Sequence, residues 1–428
     1  SNRWKIIAFE ESLFFLSLFS WAYIHGFAPD IHGLEKYMDF GFINSILRSE
    51  YFPPKDMWFT PFSINYYYFG HFITALLIKL SGIPAAIGFN VMLSTIFAFC
   101  MIQTFSLGAN LYSFMQKKTR FSSIKLAIAG LLTMILTSLA GNLHVVYAFF
   151  KQYANDAPVP FWELAFLPVT FPNAYWYPNA TRFIHNTIHE FPIYSWVVAD
   201  LHGHVLDIPF VLLIIALLFS IFIEYSNGEK LKKVFNIFHI HPAMLVLLGL
   251  LLSVMYMTNA WAGGIYLLLT GFIIYHISHQ QIDTYKKESK KRWFITWARN
   301  TLATFLVVVF SFALFAFPYS YHFKVGQIVS GVGVLCAPQF LTDKGKIGPF
   351  LFEADHCQHS LLWELLMLYG FFYFFIIAFL IFTTRIKKLL ATDVFVLLLI
   401  ILSTILIILP EFIYVKDIYP AHYRANTM

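Results

Sequence analysis

The 428-residue chain is short of charge, with Asp, Glu, Lys and Arg making up only 12% of it. Soluble domains carry about 25% charged and roughly 45–50% apolar residues. Here 59% of residues are hydrophobic and the mean hydropathy is +0.66, which excludes a soluble globular class. Cysteine is scarce as well, three residues in all, so the chain is no disulfide-dense secreted scaffold. Cys100 lies in an apolar run. Cys336 and Cys357 share one polar segment and can pair if it faces an oxidising compartment; three unpaired thiols is the plain alternative. A Gly-rich phosphate loop, zinc-finger spacing and an internal repeat are all lacking. The basic runs flank apolar segments, so they read as topology signals or lipid-headgroup contacts and exclude a nucleic-acid site.

Long apolar runs dominate what is present. A spanning helix needs about 20 mainly apolar residues. The runs Ile6–Tyr23, Ala85–Met115, Ile124–Phe150, Val205–Tyr225, Ala243–Thr258, Ile265–His279, Thr301–Phe317, Leu361–Thr383 and Val394–Leu409 meet or approach this. They predict an all-α fold, a polytopic transmembrane helical bundle of about nine spans in one transmembrane domain over residues 1–428. The chain starts without Met and stops at Thr427-Met428 after a polar loop, so it is expected to be a fragment cut at both ends.

Asn65–Leu80 is apolar but short and opens on three tyrosines. Counted as a span, it would put Lys117, Lys118, Arg120 and Lys125 outside, against the positive-inside rule. Left out, all basic loops fall on one side: Arg3 and Lys5, the 117–125 cluster, Lys230 to Lys233, Lys286 to Arg299, and Arg385 to Lys388. The predicted outer segments are then 25–84, 151–204, the turn at 259–264, 318–360 and 410–428. Asn65–Leu80 is expected to lie in the outer interface or to re-enter, since tyrosines satisfy both ring and hydroxyl there.

The outer segments hold the chemistry-bearing residues. Asp30, Glu35 and Asp39 follow the first span. Glu35 and Asp39 are four apart and share a helical face. Two such carboxylates suit acid–base work or a divalent cation, and an ordinary solvated face with Lys36 as partner is the bland alternative. In Asp200-Leu201-His202-Gly203-His204, extended backbone would point Asp200, His202 and His204 one way. Asp200 with the two imidazoles fits a metal ion, or a phosphate when the imidazoles are protonated, and Asp39, Asp200 and His202 are the candidate metal ligands. Upstream, His185 and His189 are spaced like a zinc-protease pair, but Asn186 stands where the general base would be, which excludes that chemistry. Arg182 is a natural phosphate ligand, and Arg424 lies in the last outer segment.

The stretches PDIHGLEKYMDFGFINSILRSEYFPPKDMWF and INYYYFGH resemble the "YYY" family of archaeal and bacterial membrane proteins, whose tyrosine triplet is matched by Tyr66, Tyr67 and Tyr68. TIHEFPIYSWVVADLHGHVLDIPF and PEFIYVKD with YRANTM resemble two further motifs of that family, in order. The chain departs from it at Ala262, where the family pattern is acidic. That family is in turn similar to the GT-C superfamily of membrane glycosyltransferases, which use polyprenyl-phosphate sugar donors at the outer face and carry interfacial helices in the first outer loop. The resemblance implies a GT-C-like bundle and sugar transfer in a prokaryotic plasma membrane, with the N-terminus cytoplasmic. Glu35, Asp39 and Asp30 would be catalytic. Arg182, His185, His202, His204, Tyr67 and Arg424 would hold the donor, with Mg or Mn as a candidate cofactor. A transporter or flippase of a lipid-linked or polar solute is the competing reading.

Overall fold

The computed structural model describes residues 3–116, 123–153, 158–173, 177–185, 187–226, 240–282, 290–327, 329–354, 356–385 and 389–416. Its helices are α1 (Arg3–His25), α2 (Lys36–Arg48), α3 (Phe69–Ser81), α4 (Ala85–Met115), α5 (Ser123–Ser138), α6 (Tyr177–Thr181) and α7 (Pro192–Val198), then α8 (Gly203–Ser226), α9 (Pro242–Thr258), α10 (Ala260–Ile282) and α11 (Lys290–Ser320), and finally α12 (Gln339–Thr342), α13 (Leu362–Thr384) and α14 (Ala391–Ile408).

Seven helices among the described residues are long and apolar enough to cross a membrane: α1, α4, α8, α10, α11, α13 and α14. The fold is therefore a polytopic all-α membrane protein. The two remaining expected spans differ from a plain helix. Ile124–Phe150 is not continuous: α5 ends at Ser138, and a separate 3-10 helix covers Leu143–Phe149. Asn142 explains the restart, because its side-chain oxygen accepts from His144 N at 3.1 Å and caps the second piece. Counted as one broken span, the pair brings the total to eight. Ala243–Thr258 is the body of α9, whose 17 residues reach about 26 Å, at the short limit for an apolar core of about 30 Å. Helix α3 has 13 residues, about 20 Å, too short to cross. The tyrosine triplet lies ahead of it, with Tyr68 at its N-cap.

Contacts group the chain into two compact units. One comprises Ser1–Ser138, Val198–Phe323 and Leu390–Leu398; the other comprises Leu139–Val197, Lys324–Leu389 and Leu399–Met428. In the first unit α4 packs on α1 and α5, α9 packs on α10 and α11, and α8 packs on α3, α4, α9 and α10. Helix α3 is no mere surface helix: Gly70, His71, Thr74, Ala75 and Ile78 are buried. A Cβ on Gly70 would stand 2.7 Å from Leu206 Cβ, so glycine permits the close crossing of α3 on α8. Phe15, Leu16 and Phe19 of α1 are exposed, as lipid-facing residues must be.

The second unit contains a small sheet that hydropathy did not predict. Its strands β1 (Gly331–Val334), β2 (Lys346–Ile347), β3 (Phe350–Leu351) and β4 (Ile413–Lys416) are ordered β2-β3-β1-β4. β1 and β4 are antiparallel, with Gly333 opposite Tyr414. The expected outer segments 318–360 and 410–428 are thus joined by backbone pairing. Cys336 and Cys357 form a disulfide, and Cys100 is a buried free thiol. Tyr147, Phe183, Ile184, Met367 and Leu368 make the apolar core of this unit.

Candidate functional site

Two backbone reversals build the site in the first unit. Gly33 and Leu34 have φ of 78° and 49°, and Ala199 has φ of 60°. Leu34 leads directly into Glu35, and Ala199 into Asp200. Left-handed backbone costs a non-glycine residue roughly 1–2 kcal/mol, and strain of this kind gathers at functional sites. Glu35 is the N-cap of α2 but makes no side-chain cap bond. Its carboxylate points to His202 instead, with Oε2 3.0 Å from Nε2.

His202 is the hub. Its Nε2 stands 2.6 Å from the Tyr66 hydroxyl, and its Nδ1 stands 2.7 Å from His204 Nδ1. Tyr66 donates its own proton to the Tyr67 oxygen at 2.8 Å. In the Nε2–H tautomer of His202 the Tyr66 oxygen and Glu35 share that proton, and His202 Nδ1 accepts from His204 Nδ1–H. Burial holds His202 well below the usual imidazole range, and charge on His204 and His71 adds to this. Burial, then Tyr67, then Glu35 and Asp39, push the Tyr66 hydroxyl well above the usual tyrosine range. The Tyr66 and Tyr67 rings lie 3.9 Å apart between centroids, tilted by 31°. Tyr68 turns away to pack on Tyr319, whose hydroxyl donates to Tyr66 O at 3.0 Å.

Gly203 is needed here for space. A Cβ on it would fall 2.4 Å from Tyr67 Cε2 and 2.5 Å from Thr258 O. Gly203 is the first residue of α8.

The two acids of α2 part company. Asp39 turns into the core, where Oδ1 lies 2.9 Å from His71 Nε2 and both side chains are fully buried. Glu35 keeps 45% of its side chain exposed. Asp30 is exposed, and its carbonyl accepts from Lys36 Nζ at 3.3 Å. Burial lowers the Lys36 ammonium below its usual range, while Asp200 and Asp30 draw it back up. Lys36, Tyr66 and His71 were thus missed as site residues. Their signal was adjacency to the acids and to Tyr67, which spacing rules do not weigh.

Asp39, Asp200 and His202 do not form a cation cage. The one group of three or more such residues whose ligand atoms lie within 4.8 Å, among the described residues, is Cys336, Cys357 and His359, and its cysteines are bonded to each other. In the second unit Arg182 and His185 are exposed, and Arg182 Nη1 donates to Thr181 Oγ1 at 3.0 Å. His189 Nδ1 meets the Tyr369 hydroxyl at 2.9 Å. Arg424 lies outside the described residues.

A bundle of apolar helices with acids, imidazoles and phenols gathered in the first unit defines a polytopic α-helical membrane protein with a polar site. The chain belongs to the family of uncharacterised membrane proteins designated DUF2298, whose model matches residues 1–392. No curated protein matches it, and no solved structure does.

Proposed function

We propose that the protein is a membrane glycosyltransferase that takes a sugar from a polyprenyl-phosphate donor, with Glu35 as the general base. One observation carries this reading: a half-exposed carboxylate, Glu35, is held 3.0 Å from an imidazole whose other nitrogen is fixed by a second histidine. A base must reach its substrate, and of the α2 acids Glu35 can while Asp39 cannot. Asp39 is a positioning residue that fixes α2 against α3 through His71. The Tyr67 hydroxyl and the Lys36 ammonium are the donors suited to a phosphate whose negative charge grows as the sugar leaves, and the Tyr66 O–H and the N–H groups of His202 and His204 would turn to it only by exchanging their bonds within the site. A Mg or Mn ion belongs to this reading only as a companion of that phosphate. The lipid tail is expected against the apolar helix faces.

The test is transfer or hydrolysis of a polyprenyl-phosphate sugar by the purified chain. Glu35→Gln should lose at least about 100-fold, the range of general-base catalysis. Wild-type turnover in that variant ends the assignment of Glu35; no turnover by the wild type with any such donor ends the enzyme reading. Transport of a lipid-linked or polar solute is favoured by a different observation, the buried Asp207 inside the spanning helix α8. Uptake into proteoliposomes without chemical change would support it.

A further inference from the structure

Asp207 is 1% exposed, and neither of its carboxylate oxygens has a hydrogen-bond partner. It sits in α8, which is long and apolar enough to cross a membrane. An isolated carboxylate there is costly, and ionisable residues kept at such positions mark ion or proton pathways. Asp207 lies three residues after His204, so the two side chains share one face of α8, with Cβ atoms about 5–6 Å apart. His204 is bonded to His202, and His202 to the half-exposed Glu35. A bonded chain thus runs from the accessible Glu35 to His204, and the buried Asp207 lies one helical turn beyond it.

We propose that Asp207 is a proton-binding carboxyl inside the membrane, connected to the exterior site through His204 and His202. A bound proton removes the cost of the lone charge. In the Nε2–H tautomer of His202 and the Nδ1–H tautomer of His204 the transfers run one way. His202 Nε2–H passes its proton to Glu35, His204 Nδ1–H passes its proton to His202 Nδ1, and Asp207 O–H replaces it at His204 Nε2 after a rotamer change brings these two side chains, unbonded in this structure, into contact. One proton leaves Asp207, one arrives at Glu35, and neither histidine changes charge. The reverse sequence reloads Asp207.

The helices packed on α8 are α3, α4, α9 and α10. Their ionisable side chains are His71 and Lys79, Cys100 and Tyr112, Tyr256, and Tyr266, Tyr275, His276 and His279; α8 itself adds His204, Glu224 and Tyr225. His71 is taken by Asp39, and Cys100 lies 3.3 Å from Ser138 Oγ. No cation among the described residues is paired with Asp207, which is why a proton is the fitting occupant. The inference rests on this geometry and not on sugar transfer.

Dicyclohexylcarbodiimide, which modifies protonated carboxyls in apolar surroundings, tests it on the full chain in proteoliposomes. Mass spectrometry should find the adduct on Asp207, with yield falling at least fivefold from pH 6 to pH 9. Asp207→Asn should abolish it. After a pH jump, His204→Ala should slow the change in yield at least tenfold. Absence of the Asp207 adduct at every pH, while an exposed carboxyl reacts with a soluble carbodiimide, overturns the proposal. So does protection by sodium at fixed pH, which would assign the site to an alkali cation. The wild-type adduct is decisive even where a variant fails to fold.

Discussion

His71 Nε2 lies 2.9 Å from Asp39 Oδ1, and neither side chain has exposed surface. Removing one partner of a buried pair strands the other, at about 3–5 kcal/mol. Asp39→Ala should therefore destabilise the protein by roughly that amount, while Asp39→Asn, which still offers an oxygen to His71, should cost clearly less. Thermal unfolding in detergent measures both. Equal losses would mean that shape, and not the bond to His71, fixes α2 against α3.

Protonation of His202 gives the site a pH limit. Burial, His204 and His71 lower its pKa in the folded state, against about 6.5 when unfolded. Below about pH 6.5 the unfolded chain binds a proton that the folded site resists, so stability falls as pH drops toward the folded value and is unaffected above that window. Between about pH 8 and about pH 5 the Tm of the wild type should fall more than that of His202→Gln. Parallel curves would contradict this.

Ala199 holds φ of 60° immediately before Asp200 and is itself buried. Glycine carries no Cβ penalty there, so Ala199→Gly should stabilise the fold by about 1 kcal/mol. The same change loosens the lead into Asp200 and His202. Tm should rise while any activity of the site falls, and a fall in Tm would show that the Ala199 methyl packs for more than the strain it costs.

The membrane class and seven of the expected spans were legible in the sequence because each rests on a local apolar run; the expectation that 65–80 does not cross came instead from the side its basic neighbours would take, and the 13 residues of α3 agree with it by length alone. The pairing of Glu35 with His202 was legible only as a suspicion. Equal spacing put Glu35 and Asp39 on one helical face, yet the reversal at Gly33 and Leu34 starts α2 at Lys36, so Glu35 lies at its cap and aims elsewhere. His71 was hidden inside an apolar stretch, where no motif marks it. Strands β1 and β4 lie about 80 residues apart in the chain, beyond any periodicity argument. The break at 139–142 was invisible to hydropathy because the flanking residues are apolar on both sides and the cap is a single asparagine.

Cys336 and Cys357 are 21 residues apart and bonded. They close the segment that carries β2 and β3, the strands that pair onward to β1 and β4. A loop of that length is worth about 3 kcal/mol in unfolded-chain entropy. Titration with a thiol reagent in denaturant should detect one thiol per chain before reduction, that of Cys100, and three after it. Cys336→Ser or Cys357→Ser should lower the stability of this unit by about 3 kcal/mol and leave the site around His202 intact, because Glu35, Tyr66 and His204, to which His202 is bonded, belong to the other unit. The readout is protease susceptibility of 331–351 set against the pH dependence of Tm that His202 confers. If both change together in the cysteine variants, the two units do not unfold independently, and assigning the candidate site to the first unit alone fails.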